Sequence, residues 1–262
     1  MDALADPYDA FLFDLDGVLY RGSEPVPFAA EAVARLRAMT KRVAFVTNNS
    51  GRTPEAVAAR LANVGISADV DEIETSALAT AELLAARGVG EAFVVGEEGI
   101  LRALQAKGIA IVDGDAQQVE VVVVGWDRHA DYAKLRTASL LVERGASLVA
   151  TNDDASYPAP DGNWPGAGAL LAAIETTTGI RAEVVGKPHA PVLLAARERA
   201  GGGRPLVVGD RLDTDIAGAD GLGWDSLLVL TGISSREDVA SSSTIPTFVG
   251  EDLSALFAPP SH

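Results

Sequence analysis

Short apolar runs alternate with helical patterns along almost the whole of this chain, and that alternation is the strongest constraint on its fold. Residues 10–15 form a run that is apolar except for Asp14 and that enters a glycine turn at Gly17, the pattern of a buried strand in a parallel sheet. Residues 31–39 show helical spacing, residues 42–47 form a second apolar run, and residues 54–64 are again helical and close on Gly65. Further strand-like runs are predicted at residues 93–95, 119–125, 147–151, 183–185, 206–209 and 226–230. Helical patterns separate most of them. The order predicts an α/β architecture with a Rossmann-like parallel-sheet core, whose ligands gather at the carboxyl ends of the strands.

The elements outnumber what one small sheet needs. An inserted α/β domain is therefore expected over residues 80–183, between the two halves of the core, residues 1–79 and 184–262. With 262 residues, 48% of them hydrophobic, the chain is long and apolar enough to bury such cores.

A formal net charge of -16 argues against a nucleic-acid partner or an anionic membrane surface, which need clustered Lys and Arg. The absence of cysteine excludes disulfides, zinc–thiolate sites and thiol nucleophiles, and three histidines leave little room for a zinc site. The opening MDALADPYDA lacks a basic segment followed by an apolar one, and no apolar run reaches the roughly 20 residues that span a bilayer. A cytoplasmic location is the resulting expectation.

Four strand ends carry residues with chemistry. After the first run comes Asp14-Leu15-Asp16-Gly17, where alternation along an extended segment would put both carboxylates on one side and Gly17 would let the chain turn. A cation beside them keeps both ionised; a solvated turn is the competing reading. After the second run, Thr47-Asn48-Asn49-Ser50 offers a hydroxyl and consecutive amides suited to phosphate oxygens, or equally to helix capping. Lys187, before Pro188, would present a fixed ammonium at a third strand end, with Pro188 opening the next helix. Gly209-Asp210 supplies a hard oxygen ligand at a fourth, and Asp215 follows to orient Lys187 or a metal-bound water. Arg211 and Asp213 are read as solvated, and neither His129 nor His189 is assigned a catalytic role.

In this order, Asp14-Leu15-Asp16-Gly17, Thr47-Asn48, Lys187 and Gly209-Asp210 to Asp215 resemble the four motifs of the haloacid dehalogenase superfamily. The segments around Asn49-Ser50, Thr151-Asn152-Asp153, Pro165-Gly166-Ala167-Gly168 and Gly186-Lys187-Pro188 are similar to its branch of p-nitrophenyl phosphatases, phosphoglycolate phosphatases and glycerol-3-phosphate phosphatases. Val18 stands where many relatives have threonine. The resemblance implies an inserted α/β cap of the C2a type, which agrees with the element count, and a homodimer formed through that cap.

It also implies a reaction: magnesium-dependent hydrolysis of small phosphate monoesters through an aspartyl-phosphate on Asp14. Asp16 would act as general acid and then base. Mg2+ would be held by Asp14, the Asp16 backbone carbonyl and Asp210, with Asp215 behind them. Thr47, Asn48, Asn49 and Lys187 would hold the phosphoryl group. Tyr157, in a cap loop expected over residues 152–160, resembles a position that relatives use to touch the leaving group. A small phosphorylated metabolite is the expected partner, with glycerol 3-phosphate ranked ahead of 2-phosphoglycolate, p-nitrophenyl phosphate and nucleotide or sugar phosphates. A phosphotransferase and a non-catalytic phosphate-binding regulator are the rival classes.

Overall fold

The structure, a computed structural model, describes residues 3–114, 116–159 and 161–259. Packing divides the chain into two compact units. The first takes the described residues of Met1–Thr47, Glu55–Glu74 and Lys187–His262; the second takes those of Asn48–Pro54 and Thr75–Gly186.

The first unit is built on a six-stranded sheet in the order Phe248–Gly250, Asp225–Val229, Pro205–Gly209, Ala10–Phe13, Arg42–Thr47, Ile73–Thr75. Ala10–Phe13 runs parallel to both its neighbours. All of its residues are buried, as are all of those in Pro205–Gly209, because helices cover both faces of a parallel sheet and leave no polar side. Phe11, Phe13 and Phe45 form a stacked series, with centroids 6.3 and 6.5 Å apart. The helix Ala29–Ala38 buries Ala29, Ala32, Val33 and Leu36, and Pro54–Asn63 buries Val57 and Leu61, one stripe each at helical spacing. From Ala10–Phe13 the chain moves to Arg42–Thr47 on one side, and the later strand Pro205–Gly209 fills the other. The carboxyl end of Ala10–Phe13 is thus a topological switch point, where a crevice opens between diverging connections.

The first apolar run does not remain a strand to its end. Pairing stops at Phe13, and the Leu15 carbonyl accepts from the Leu19 amide at 2.9 Å, turning the chain into a small hairpin of Tyr20–Arg21 with Glu24–Pro25. Leu15 and Leu19 are apolar because they pack under this turn, in the same core as Phe11 and Phe13.

The second unit has a five-stranded parallel sheet in the order Glu183–Val184, Ser147–Ala150, Val121–Val124, Glu91–Val95, Ala110–Val112. Val122, Val124 and Phe93 pack with Leu141 and Val142 from the helix Tyr132–Glu143 and with Leu171 and Ile174 from Ala167–Thr178. This unit begins at Thr75, where the Thr75 hydroxyl caps the helix Ser76–Ala86 by accepting from the Leu78 amide at 3.1 Å. It also takes in Asn48–Pro54, bound by polar rather than apolar contacts: the Asn48 carbonyl accepts from Ser76 Oγ and Asn152 Nδ2, both at 2.7 Å.

The segment read as a loop over residues 152–160 is in part a hairpin. Ser156–Ala159 pairs antiparallel with Gly162–Pro165, a two-stranded ribbon that tolerates proline because neither strand lies inside a larger sheet. Pro160 lies outside the described residues. Among those residues, no helix is long and apolar enough to cross a membrane.

Candidate active site

The end of Ala10–Phe13 delivers Asp14. Its amide donates to the Val208 carbonyl at 2.9 Å, which extends the parallel pairing by one step and fixes where its side chain emerges. Lys187 Nζ donates to Asp14 Oδ1 and, at 2.7 Å, to Asp215 Oδ1. The lysine and Asp215 side chains are 4% and 1% exposed, against 14% for Asp14, so the carboxylate that reaches solvent most is Asp14. Lys187 precedes a cis peptide bond to Pro188, and the next helix, Ala190–Arg199, starts only after His189; Pro188 therefore does not open the helix as expected.

Asp215 reaches Lys187 because the chain after Asp210 winds through a wide turn, Leu212–Ile216, in which the Ile216 amide bonds the Arg211 carbonyl five residues back. That turn aims Asp215 back toward Gly209, where a Cβ would collide with its carboxyl group. Its second oxygen accepts from the Arg211 amide at 3.2 Å. Asp210 is held by the next strand connection: Oδ2 accepts from the Ile233 amide at 2.8 Å. Gly17, at φ 86°, and Gly232 both approach this carboxylate so closely that a Cβ on either would overlap it.

Asp14, Asp210 and Asp215 each place a carboxylate oxygen within 4.8 Å of the others. Two buried carboxylates, Asp210 and Asp215, and the half-buried Asp14 face one ammonium, and the electrostatics follow from that imbalance. Burial pushes the Asp14 carboxyl well above the usual range, and the charges of Asp215 and Asp210 add to the push against the pull of Lys187. Burial, then Asp215, raises Asp210 to about 7, opposed by the Ile233 amide, Lys187 and Arg211. Burial works against the charge of Lys187, but Asp14 and Asp215 outweigh it and hold the ammonium above its ordinary range. The cluster carries more negative charge than one lysine neutralises.

The Asp16 carboxylate is not part of this cluster. Its side chain is 52% exposed, on the turn into the hairpin, with Arg60 3.9 Å away. Thr47 ends the adjacent strand and is buried in the first unit. Asn48 and Asn49 belong to the second unit: Asn48 Nδ2 donates to Asp154 Oδ2 at 3.1 Å, and Asn49 Oδ1 accepts from the Gly51 amide at 3.0 Å, closing a local turn. Tyr157, also in the second unit, is stacked on Trp126 with centroids 4.3 Å apart. Trp126, which the sequence did not single out, donates Nε1 to the Pro165 carbonyl at 3.2 Å, and Arg128 lies 5.0 Å over its ring. Arg128 is gripped by Glu97 through two bonds of 2.7 and 2.8 Å, which hold the Glu97 carboxyl below the usual range. A lone Trp and a Glu and an Arg far apart in sequence carry no motif, so only the fold could reveal this group.

Comparison with known proteins places the chain in a family. A haloacid dehalogenase-like hydrolase family model matches residues 11–110, and a HAD-hydrolase-like model matches residues 184–256. An acid sugar phosphatase of Staphylococcus saprophyticus is 38% identical over 252 residues, 95% of this chain and 96% of the relative. The crystal structure of the glycerol phosphate phosphatase Rv1692 from Mycobacterium tuberculosis in complex with magnesium superposes with a TM-score of 0.93 at 36% identity, covering 98% of this chain and 78% of that one. A p-nitrophenyl phosphatase from Archaeoglobus fulgidus gives 0.89 at 33% identity, covering 95% and 98%. With the buried Asp14–Lys187–Asp215–Asp210 cluster at the switch point of a parallel sheet, these matches establish that the chain belongs to the haloacid dehalogenase-like hydrolase family.

Proposed function

We propose that this phosphatase of the haloacid dehalogenase family, a phosphoric monoester hydrolase, acts on small phosphate monoesters through an aspartyl-phosphate on Asp14, with glycerol 3-phosphate as its preferred substrate. The observation that carries the reading is Lys187 Nζ bound to both Asp14 and Asp215, with Asp210 alongside. In the first step an Asp14 oxygen attacks phosphorus and the ester oxygen departs with a proton from Asp16. In the second, water attacks the aspartyl-phosphate, Asp16 takes a proton from it, and inorganic phosphate is released with Asp14 restored. Lys187 offsets charge on Asp14 and on the transferring group, and it does so best in a buried setting. Thr47, Asn48 and Asn49 are the proposed partners of the phosphoryl oxygens.

The donor set fits magnesium: all ligands are hard oxygens, and the cluster's excess negative charge calls for a cation. Asp14, Asp210 and the Asp16 backbone carbonyl would hold it. Asp215 would stand behind them, since its two oxygens are engaged by Lys187 and the Arg211 amide. The ion would supply charge neutralisation of the phosphoryl group.

The second unit is proposed to be the cap that selects the alcohol portion, with Tyr157 as a contact. Support for glycerol 3-phosphate comes from the mycobacterial glycerol phosphate phosphatase, and a sugar phosphate is the second reading, favoured by the staphylococcal acid sugar phosphatases. The test is phosphate release by purified protein with magnesium across glycerol, sugar, nucleotide, glycolate and aryl phosphates. Highest kcat/KM on glycerol 3-phosphate is expected. A sugar phosphate at the top would replace the first reading by the second, and no release from any monoester would overturn both.

A further inference from the structure

Arg60, on the helix Pro54–Asn63, is placed at an unusual cost. Its Nε is buried and finds no hydrogen-bond partner among the described residues. An N–H left without a partner inside a protein is unfavourable, and an apolar side chain of the same length would cover the same surface without that penalty. Something must therefore use the guanidinium itself. Three contacts converge on the turn that carries Asp16. The guanidinium lies 4.4 Å over the Tyr20 ring, one terminal nitrogen donates to the Gly22 carbonyl at 2.5 Å, and the same nitrogen sits 3.9 Å from Asp16 Oδ2. Tyr20 is itself tied to Asp16, since the two form a β-bridge and the Gly17 amide donates to the Tyr20 carbonyl at 2.7 Å. The turn is also anchored by Thr231, whose hydroxyl donates to the Gly17 carbonyl at 2.6 Å and whose carbonyl accepts from Arg21 Nε.

We propose that Arg60 is a positioning residue for the acid–base step: together with Thr231 it fixes the hairpin, and it confines the arc through which the Asp16 carboxylate swings. The inference rests on the assignment of Asp16 as proton donor. A separation of 3.9 Å at a half-exposed carboxylate adds little to stability, so the contact's value is orientation. Asp16 gives its proton to the ester oxygen as the phosphorus–oxygen bond breaks. A displaced Asp16 therefore harms alcohols that leave poorly and hardly affects one that leaves well without protonation.

The test compares kcat/KM for glycerol 3-phosphate and for p-nitrophenyl phosphate, a parameter that reports the steps up to alcohol release. Arg60→Met keeps the packing on Tyr20 and removes the unpartnered N–H, so melting should be unchanged or slightly raised. The glycerol 3-phosphate value is expected to fall about tenfold more than the p-nitrophenyl value, a share of the 10²–10⁴-fold that general acid–base catalysis contributes. Arg60→Lys, which keeps the charge and reaches the same carbonyl, should recover part of the difference, and it carries the comparison alone if the methionine variant does not fold. Equal losses on both substrates, or no loss, overturn the proposal. Asp16→Asn separates this from the underlying assignment: if that variant also loses the two activities equally, Asp16 is not the proton donor and the assignment itself fails.

Discussion

Lys187 and Asp215 meet at 2.7 Å with almost no exposure, and Asp215 spends its other oxygen on the Arg211 amide. Asp215 therefore serves to hold the lysine against Asp14, and the two substitutions that break the pair differ in sign of charge. Removing the cation leaves three clustered carboxylates, two of them buried, uncompensated, whereas neutralising Asp215 relieves some of the crowding. Without metal, Lys187→Met is expected to cost about 3–5 kcal/mol in urea unfolding, as loss of one partner of a buried pair does. Asp215→Asn should cost clearly less. The reverse order would show that the cluster is not limited by excess negative charge.

The same excess predicts how stability depends on pH and metal. With folded Asp210 near 7 and an unfolded carboxyl near 4, the metal-free folded state binds more protons than the unfolded one between those values. The contribution of Asp210 to stability is then fully present below about 4 and is lost as pH rises through about 7. Carboxyls held low by their partners, such as Asp213 and Asp225, change stability only below the ordinary carboxylate range and do not mask the effect. In EDTA the protein should melt lower at pH 8 than at pH 5, magnesium should raise melting more at pH 8, and Asp210→Asn should flatten the EDTA profile. An EDTA profile that climbs from pH 5 to pH 8 contradicts this account.

Asp14→Asn should leave a folded protein without turnover, since it keeps the shape of the side chain and removes the attacking oxygen. Beryllofluoride with magnesium, which mimics a phosphoryl group on a carboxylate, should inhibit the parent protein and raise its melting temperature while leaving Asp14→Asn unaffected. More than trace magnesium-dependent activity in the purified variant would remove Asp14 as nucleophile.

The parts of this site that could be read in the sequence are those where one local signal does one job. A short apolar run followed by Asp14, or by Gly209 and Asp210, marks a strand end, and buried parallel strands need few other cues. The meeting of Lys187 with Asp215 could be anticipated only as a role, because the wide turn at Leu212–Ile216 that aims Asp215 has no sequence signature. The hairpin after Asp16 was hidden for another reason: Leu15 and Leu19 extend the apolar run past the true strand end while packing under a turn. Continuity in sequence groups Asn48–Pro54 with the core, although its bonds run to Ser76, Trp126 and Asn152. Polar tertiary contacts leave no periodicity to read.

The stack of Tyr157 on Trp126 gives the final prediction. A stacked aromatic pair with centroids 4.3 Å apart is worth about 0.5–1.5 kcal/mol beyond the area it buries, so each ring depends on the other for its position. If Tyr157 selects the alcohol portion of the substrate, Tyr157→Ala should change the ratio of kcat/KM for glycerol 3-phosphate over p-nitrophenyl phosphate by about fivefold, a discrimination of about 1 kcal/mol. Trp126→Ala should shift the ratio in the same direction, because it removes the surface on which Tyr157 rests. The double variant should then add little, since both changes disable one contact. Tyr157→Phe keeps the stack and should stay close to the parent if the ring, rather than the hydroxyl, makes the contact. Equal loss on both substrates in either alanine variant would make the pair a packing feature of the second unit, with substrate choice made elsewhere.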